Sequence, residues 1–363
     1  MRVMTILGTR PEIIRLSLII RRLDDLCDHV LVNTGQNYDD NLSGVFFRQL
    51  GVRRPDHELE ARGTFGEQIA TILSGMERLM LELRPDRFLV LGDTNSSLAA
   101  IVAKRLGIPV YHMEAGNRSY DDRVPEEVNR RLIDHASTVL LPYTERSRQN
   151  LLREGIAGDH IYVTGNPIYE VLSYFEPQIA AANAHATYDV VAGEFFLVTL
   201  HRAETVDVPE RLRTVVDGLH AVASKYGQPV IWSVHPHTRK ALRGIGVDPD
   251  SLSDIRCVDP LGLFEFIALE RTARCVLTDS GTVQEECSIF RVPSVTLRDV
   301  TERPETIEAG SNMLAGVQSE AILRSVGVAL SAPPDWQPPA GYLDLDVTST
   351  VVKILLAGAD PRA

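Results

Sequence analysis

The stretch Tyr111-His-Met-Glu-Ala-Gly-Asn-Arg-Ser-Tyr-Asp-Asp-Arg-Val-Pro-Glu-Glu-Val-Asn129 decides how the chain is read. It opens as the tail of an apolar run from Ile108 to Met113, the pattern of a strand buried on both faces. Glu114 stands where that strand should end, and Ala115-Gly116 behind it are small enough to let backbone or ligand approach closely. Pro125 then predicts a helix start, with Glu126 and Glu127 in its first turn and Val128, Leu132 and Ala136 at helical spacing. Glu114 and Glu126 thereby flank one loop at the carboxyl end of a strand, which is where open α/β sheets bind ligands. The competing reading is a surface acidic loop with ordinary helix-start glutamates. Glu127 reads that way; Glu114, directly behind a buried run, reads as functional.

Working outward, the same grammar repeats in both directions. Upstream, the strand-like Arg2–Leu7 ends at Gly8-Thr-Arg-Pro-Glu12, His29–Asn33 ends at Thr34-Gly35, and Arg87–Leu91 ends at Gly92-Asp-Thr94. Downstream come Val139–Leu141 and Ile161–Val163. The pattern then restarts with Phe195–Leu200, Val230–Val234, Ala273–Leu277 and Val292–Leu297, each followed by a polar turn and most by a helical period. Strands alternating with helices twice over predict an α/β protein of two Rossmann-like doubly wound domains, 1–167 and 168–346. Neither GxGxxG nor a P-loop occurs, which argues against a nicotinamide site.

The chain has 363 residues, 44% hydrophobic and 24% charged, enough for two cores. Its formal net charge of −12 argues against nucleic acid or an anionic membrane as the main partner. The start of the chain lacks a signal-like h-region and no run of eighteen apolar residues occurs, so a cytoplasmic protein is expected. The four cysteines (Cys27, Cys257, Cys275, Cys287) form no CxxC pair, so neither a metal site nor a disulfide framework is expected.

Candidate chemistry collects at the strand ends. Asp93 is either a helix cap or a functional carboxylate, and Arg10 either a solvated arginine or a phosphate ligand. Asp279-Ser280-Gly281 before a helix is an anion site: a hydroxyl, a glycine for close approach, and unpaired helix amides. Glu286, a turn and a half on, can accept both hydroxyls of a ribose. That pairing suggests a nucleoside diphosphate, and His201 beside Arg202 supplies donors for it. His235 ends another strand in the same half.

Gly8-Thr-Arg-Pro-Glu12, Gly92-Asp-Thr94, Glu114-Ala-Gly116, Pro125-Glu-Glu127, Thr164-Gly-Asn166, His201-Arg202, Thr278-Asp-Ser-Gly281 with Gln284-Glu-Glu286, and Glu302-Arg-Pro-Glu305 together resemble the non-hydrolysing UDP-N-acetylglucosamine 2-epimerases. The resemblance covers essentially the whole chain. It implies a GT-B-like fold whose two domains face a central cleft, with the C-terminal helix within 347–363 returning to the first domain. It also implies a homodimer that uses no cofactor or metal. The reaction implied is inversion at C2 of a UDP-N-acetylhexosamine by elimination of UDP and re-addition. Asp93, Glu114, Glu126 and His201 match the family's catalytic groups. Ser280 and Gly281 match its diphosphate contacts and Glu286 its ribose contact; Arg10, Arg15, Arg202, His235 and Arg303 complete the expected substrate set.

Two departures stand out. Arg15 occupies a position where well-known members carry lysine. Gln36-Asn-Tyr38 stands where regulated bacterial members carry Gln-His-Arg, so their activation by a second UDP-N-acetylglucosamine is not carried over. Gly35-Gln-Asn-Tyr-Asp39 and Glu114-Ala-Gly-Asn-Arg118 look closer to relatives acting on modified sugars. A GT-B glycosyltransferase and a hydrolysing epimerase are the alternative readings, and a non-catalytic UDP-sugar sensor would not need the three carboxylates together.

Overall fold

A computed structural model describes residues 1–35 and 44–358; the Gln36-Asn-Tyr38 segment lies outside them. Contacts divide the chain into two compact units, Met1–Tyr174 with Ala340–Ala363, and Phe175–Pro339.

The first unit is built on six parallel strands: β1 (Arg2–Leu7), β2 (Asp28–Asn33), β3 (His57–Glu58), β4 (Arg87–Leu91), β5 (Val110–Met113) and β6 (Val139–Leu141). Their order is β3-β2-β1-β4-β5-β6. The second unit repeats the plan with β7 (Phe196–Leu200), β8 (Val230–Val234), β9 (Ile255–Val258), β10 (Cys275–Thr278), β11 (Ser294–Thr296) and β12 (Asn312–Leu314), in the order β12-β11-β10-β7-β8-β9. Each sheet therefore reverses direction between its first and fourth strands, β1 and β4 in one, β7 and β10 in the other. Ligands bind at such switch points in doubly wound sheets.

The central strands are mostly apolar and buried because helices cover both faces. Val3, Met4, Ile6 and Leu7 of β1 are buried, as is every residue of β4 and β10. The helix Arg10–Leu26 carries Pro11 in its first turn, where its fixed φ suits the helix, and is buried nearly all round. Its far side receives the helices Gly44–Leu50, Ile168–Tyr174 and Val347–Leu356. The last of these is held by Arg87, which donates to the carbonyls of Leu355 and, at 2.6 Å, Ala357. A cation at a helix C-terminus meets the negative end of the dipole.

The helix Phe65–Leu83 is set by a reciprocal cap: Thr64 N–H donates to Glu67 at 2.8 Å and Glu67 N–H to the Thr64 hydroxyl at 3.4 Å. Of its wide apolar face, Ile72, Met76, Leu79 and Met80 enter the core, while Phe65 and Leu81 remain exposed. One expected strand is nearly absent. Ile161–Val163 contributes a single bridge, Leu140 to Ile161, and Tyr162 and Val163 lie open at the sheet's edge, with no further strand pairing with them among the described residues.

Candidate functional site

Three neighbouring strands of the first unit, β1, β4 and β5, end in Gly8-Thr9-Arg10, Gly92-Asp93 and Glu114. Glu12 ties the first two ends together. It is buried, accepts from Gly8 N–H at 2.8 Å and Thr9 N–H at 2.7 Å, and takes the Thr94 hydroxyl at 2.7 Å on its other oxygen. Burial raises its pKa to about 7, against those donors. Arg10 leaves the same turn half-buried over the Phe46 ring, 5.7 Å from its centre.

Glu114 follows β5 with φ +67°, a left-handed conformation that costs a residue with a Cβ about 1–2 kcal/mol. The strand's ladder runs on through its N–H, which donates to Leu141 O at 3.1 Å, so the twist turns the side chain without releasing the backbone. Its carboxylate pairs with Arg15, and both side chains are buried. Arg15 reaches this position from the second turn of the first helix and lies 5.7 Å from the centre of the Tyr143 ring. Gly116, at φ +81°, is required behind it, because a Cβ there would sit 2.3 Å from Ser147 O.

Asp93 does not cap the following helical turn; Thr94 holds that position. Its carboxylate instead accepts from Arg130 at 2.6 and 3.1 Å, and its carbonyl from Asn129 at 3.0 Å. Arg130 also binds Glu127 at 2.7 Å.

The surface reading of Glu127 is overturned. Glu127 is fully buried and accepts from Ser119 N–H at 2.9 Å, the Ser119 hydroxyl at 3.0 Å and Tyr120 N–H at 3.0 Å. Burial works against its charge, yet the loop amides and Arg130 outweigh it and hold its pKa below the usual range. Helix periodicity places this residue in a first turn but cannot say that the preceding loop folds back over it. Glu126, beside it, is half-buried.

A second network lies beneath. His112 Nε2 donates to Gly92 O at 2.9 Å and its Nδ1 lies 2.8 Å from Asp134, which also takes Gly116 N–H at 3.2 Å and Arg118 at 2.7 Å. Burial opposes Asp134's charge, but His112 and Arg118 keep its pKa low. His112 and Asp134 thus join the Asp93 turn to the Glu114 loop. Sequence reasoning missed both, since a histidine inside an apolar run and an aspartate at a helix end carry no distinctive spacing. A hollow of about 530 Å³ in this unit opens at the other end of the sheet, against Met1, Asp86, Arg87 and Pro109, and holds none of these residues.

In the second unit Asp279 organises the switch point. It is fully buried after β10; one oxygen accepts from His201 N–H at 2.8 Å and Arg202 N–H at 2.7 Å, both after β7. The other, which makes no hydrogen bond among the described residues, lies 3.3 Å from His201 Nδ1, whose side chain is 37% exposed. Ser280 is the N-cap of the helix Gly281–Phe290 and donates its N–H to the Thr278 hydroxyl at 2.9 Å. A Cβ on Gly281 would sit 2.5 Å from Glu302 Oε1, so glycine lets the 298–305 segment close over the helix start.

That segment is locked. Arg298 donates to Glu302 at 2.9 Å, Thr301 to Gln284 at 2.7 Å, and buried Arg303 pairs with buried Glu285. Glu286 lies a turn and a half into the helix and is 3% exposed. His235 caps the helix Pro236–Gly244, its Nδ1 accepting from His237 N–H at 3.2 Å. Among the described residues no group of three His, Cys, Asp or Glu is placed to hold a metal ion, and no helix is long and apolar enough to cross a membrane.

Polar groups gathered over the switch points of two doubly wound sheets, with a serine–glycine helix start in the second, define an α/β protein equipped for a phosphorylated ligand. The comparisons with known proteins narrow that class. The sequence model of the UDP-N-acetylglucosamine 2-epimerase family matches residues 21–356, and the chain belongs to that family. The UDP-N-acetylglucosamine 2-epimerase of Methanocaldococcus jannaschii is 43% identical over 349 residues, covering 94% of this chain and 95% of that protein. The UDP-2,3-diacetamido-2,3-dideoxy-D-glucuronate 2-epimerase of Pseudomonas aeruginosa is 36% identical over 336 residues, covering 91% and 92%. A crystal structure of the M. jannaschii UDP-GlcNAc 2-epimerase in complex with UDP-GlcNAc and UDP matches with a TM-score of 0.94 at 41% identity, over 99% of this chain and 100% of that one.

Proposed function

We propose that this protein is a non-hydrolysing 2-epimerase that inverts C2 of a UDP-N-acetylhexosamine, interconverting UDP-N-acetylglucosamine and UDP-N-acetylmannosamine or a modified pair. The observation that carries the reading is Glu114: a buried carboxylate on a left-handed backbone, paired with Arg15, one strand away from Asp93 and one loop away from Glu126. A UDP-sugar sensor needs the anion site after β10 but has no use for three carboxylates held at this strand edge.

The C2 hydrogen lies next to no carbonyl, so a base alone removes it slowly. Breaking the C1–O bond to UDP builds positive charge at C1 and acidifies C2–H. Removal of the proton then gives a 2-acetamidoglucal and free UDP. Re-addition of UDP to C1, with a proton delivered to the other face of C2, completes the inversion. Asp93, Glu114 and Glu126 serve this step as acid and base groups. His201, beside Asp279, supplies a donor for the departing diphosphate. Ser280 and the amides at Gly281 hold that diphosphate, Glu286 the ribose, and Arg10, Arg15, Arg202, His235 and Arg303 complete the substrate set. Arg15 acts through Glu114 and Arg303 through Glu285, which supports a positioning part for both. No metal or redox cofactor enters the scheme. We further propose a cytoplasmic homodimer.

The test is a double label. Turnover in D₂O should place deuterium at C2 of the product, and oxygen label in the C1–O–P bridge should scramble into the β-phosphate's non-bridging positions as freed UDP rotates. A retaining glycosyltransferase leaves C2–H untouched, and a hydrolysing epimerase releases free sugar. Epimerised product that keeps its C2–H, or a bridge oxygen fixed through many turnovers, refutes the mechanism. Run over a panel of UDP-N-acetylhexosamines, the assay also reads the sugar.

A further inference from the structure

Gln284 lies one turn into the helix Gly281–Phe290 and is fully buried. Its Nε2 donates to Ser280 O at 3.2 Å, the same carbonyl that its backbone N–H reaches at a long 3.4 Å. Its Oε1 accepts from the Thr301 hydroxyl at 2.7 Å and from Asn312 Nδ2 at 3.1 Å. A carbonyl only accepts, so Ser280 O fixes which end of the amide carries the N–H groups, and two donors fill the lone pairs of the other end. The partners are anchored in turn. Buried Asn312, at the start of β12, takes the Thr296 hydroxyl at 2.7 Å and also donates to the Thr306 hydroxyl at 3.2 Å. Thr301 accepts from Arg303 N–H at 3.0 Å. One side-chain amide therefore joins the turn after β10, the segment after β11 and the first residue of β12.

We propose that Gln284 is a positioning residue of the diphosphate site, acting on the ligand through Ser280 and Thr301: it aims the Gly281 N–H and holds the 298–305 segment over the helix start. This rests on the reading of Ser280 and Gly281 as the diphosphate contacts. The peptide between those two residues is planar and trans, so its C=O and N–H point in opposite directions. Holding Ser280 O toward the helix turns Gly281 N–H out of it, and a helix leaves its first amides without internal partners. The Thr301 arm sets how closely the neighbouring segment approaches, since Glu302 Oε1 lies where a Cβ on Gly281 would meet it at 2.5 Å. A donor fixed before the ligand arrives spends no binding energy on being ordered. Without the amide, Ser280 O keeps only its long backbone bond and the peptide is free to tilt. The loss then falls on the phosphates and spares the nucleoside.

The full-length protein is titrated by calorimetry with UDP, and with uridine by displacement of UDP. Gln284→Met keeps the length of the side chain and loses all three bonds. It should bind UDP about tenfold more weakly and uridine as wild type does. Thr301→Val, which lacks the hydroxyl, should show part of that loss, and Thr301→Ser, which keeps it, should bind UDP like wild type. Because both act through one amide, Gln284→Met/Thr301→Val should be no worse than Gln284→Met alone. Stability is read separately from urea midpoints by tryptophan fluorescence, both tryptophans lying in this unit. If wild type binds UDP no more tightly than uridine, the diphosphate reading itself fails. If wild type gains from the diphosphate and Gln284→Met keeps the whole gain, or loses uridine affinity equally, the positioning role fails. Should Gln284→Met not fold, the threonine variants decide: equal UDP affinities in Thr301→Val and Thr301→Ser overturn the proposal.

Discussion

Replacing Arg15 by methionine removes the cation from a carboxylate that has little water to turn to. The side chains of Arg15 and Glu114 are 3% and 7% exposed, so solvent screening does not discount the pair. Breaking a buried ion pair from one side costs about 3–5 kcal/mol, because the remaining charge stays desolvated. Methionine keeps the aliphatic length beside Tyr143 and loses only the cation–π contact, about 1 kcal/mol or less of that total. Glu114→Gln should cost less, about 1–3 kcal/mol, since an amide oxygen still accepts from the guanidinium. In Arg15→Met/Glu114→Gln neither charge of the pair remains buried, so its loss should fall below the sum of the singles by about 1–3 kcal/mol.

The pH dependence has a definite sign. Without Arg15, burial raises the folded-state pKa of Glu114 above its unfolded value. The native variant then takes up a proton that the unfolded chain does not. Its deficit against wild type should therefore be largest at pH near 8 and shrink toward pH 5. The assay must report on the first unit. Both tryptophans, Trp232 and Trp336, lie in the second, so their fluorescence follows the wrong transition. Urea unfolding by far-ultraviolet circular dichroism, with amide exchange in the helix Arg10–Leu26, reads the right one. A loss below about 1 kcal/mol, a deficit equal at the two pH values, or an additive double mutant would refute the argument.

Asp93→Asn, Glu114→Gln, Glu126→Gln and His201→Asn should stay folded yet lose about 10²-fold or more in turnover; near-normal turnover in any one removes it from the chemical step. Glu12→Gln should change how stability follows pH. Burial lifts Glu12 to about 7 from an ordinary 4.5, so the stability it contributes is whole below the lower value and is lost as pH rises to the higher. The loss is on the order of 3 kcal/mol, and the variant, whose amide can serve the same Gly8, Thr9 and Thr94 partners, should lack that slope in its urea midpoints. With Gln36-Asn-Tyr38 in place of the activator motif, initial rates should rise hyperbolically with substrate; sigmoidal kinetics would contradict this.

What the sequence determined by itself was the layering. A parallel strand buried on both faces is an unbroken apolar run, and the polar turn behind it marks the carboxyl edge, so β1, β4, β5, β7, β8 and β10 and the residues at their ends were legible from local pattern. Asp93, Glu114, His201 and Ser280 followed from position alone. The short strands β3, β9 and β12 were not legible, because each lies at a sheet edge and lacks the unbroken apolar run of a strand buried on both faces. Charge pairing was hidden for a different reason. Arg15 and Glu114 lie 99 positions apart, and Asp279 meets the His201 amide across 78. Glu127 looked like a surface glutamate until the loop before it folded back. Sequence pattern records how one element meets water or core. Which polar group meets which is decided by strand order and helix packing, and in a low-dielectric interior that choice settles which carboxylates stay charged.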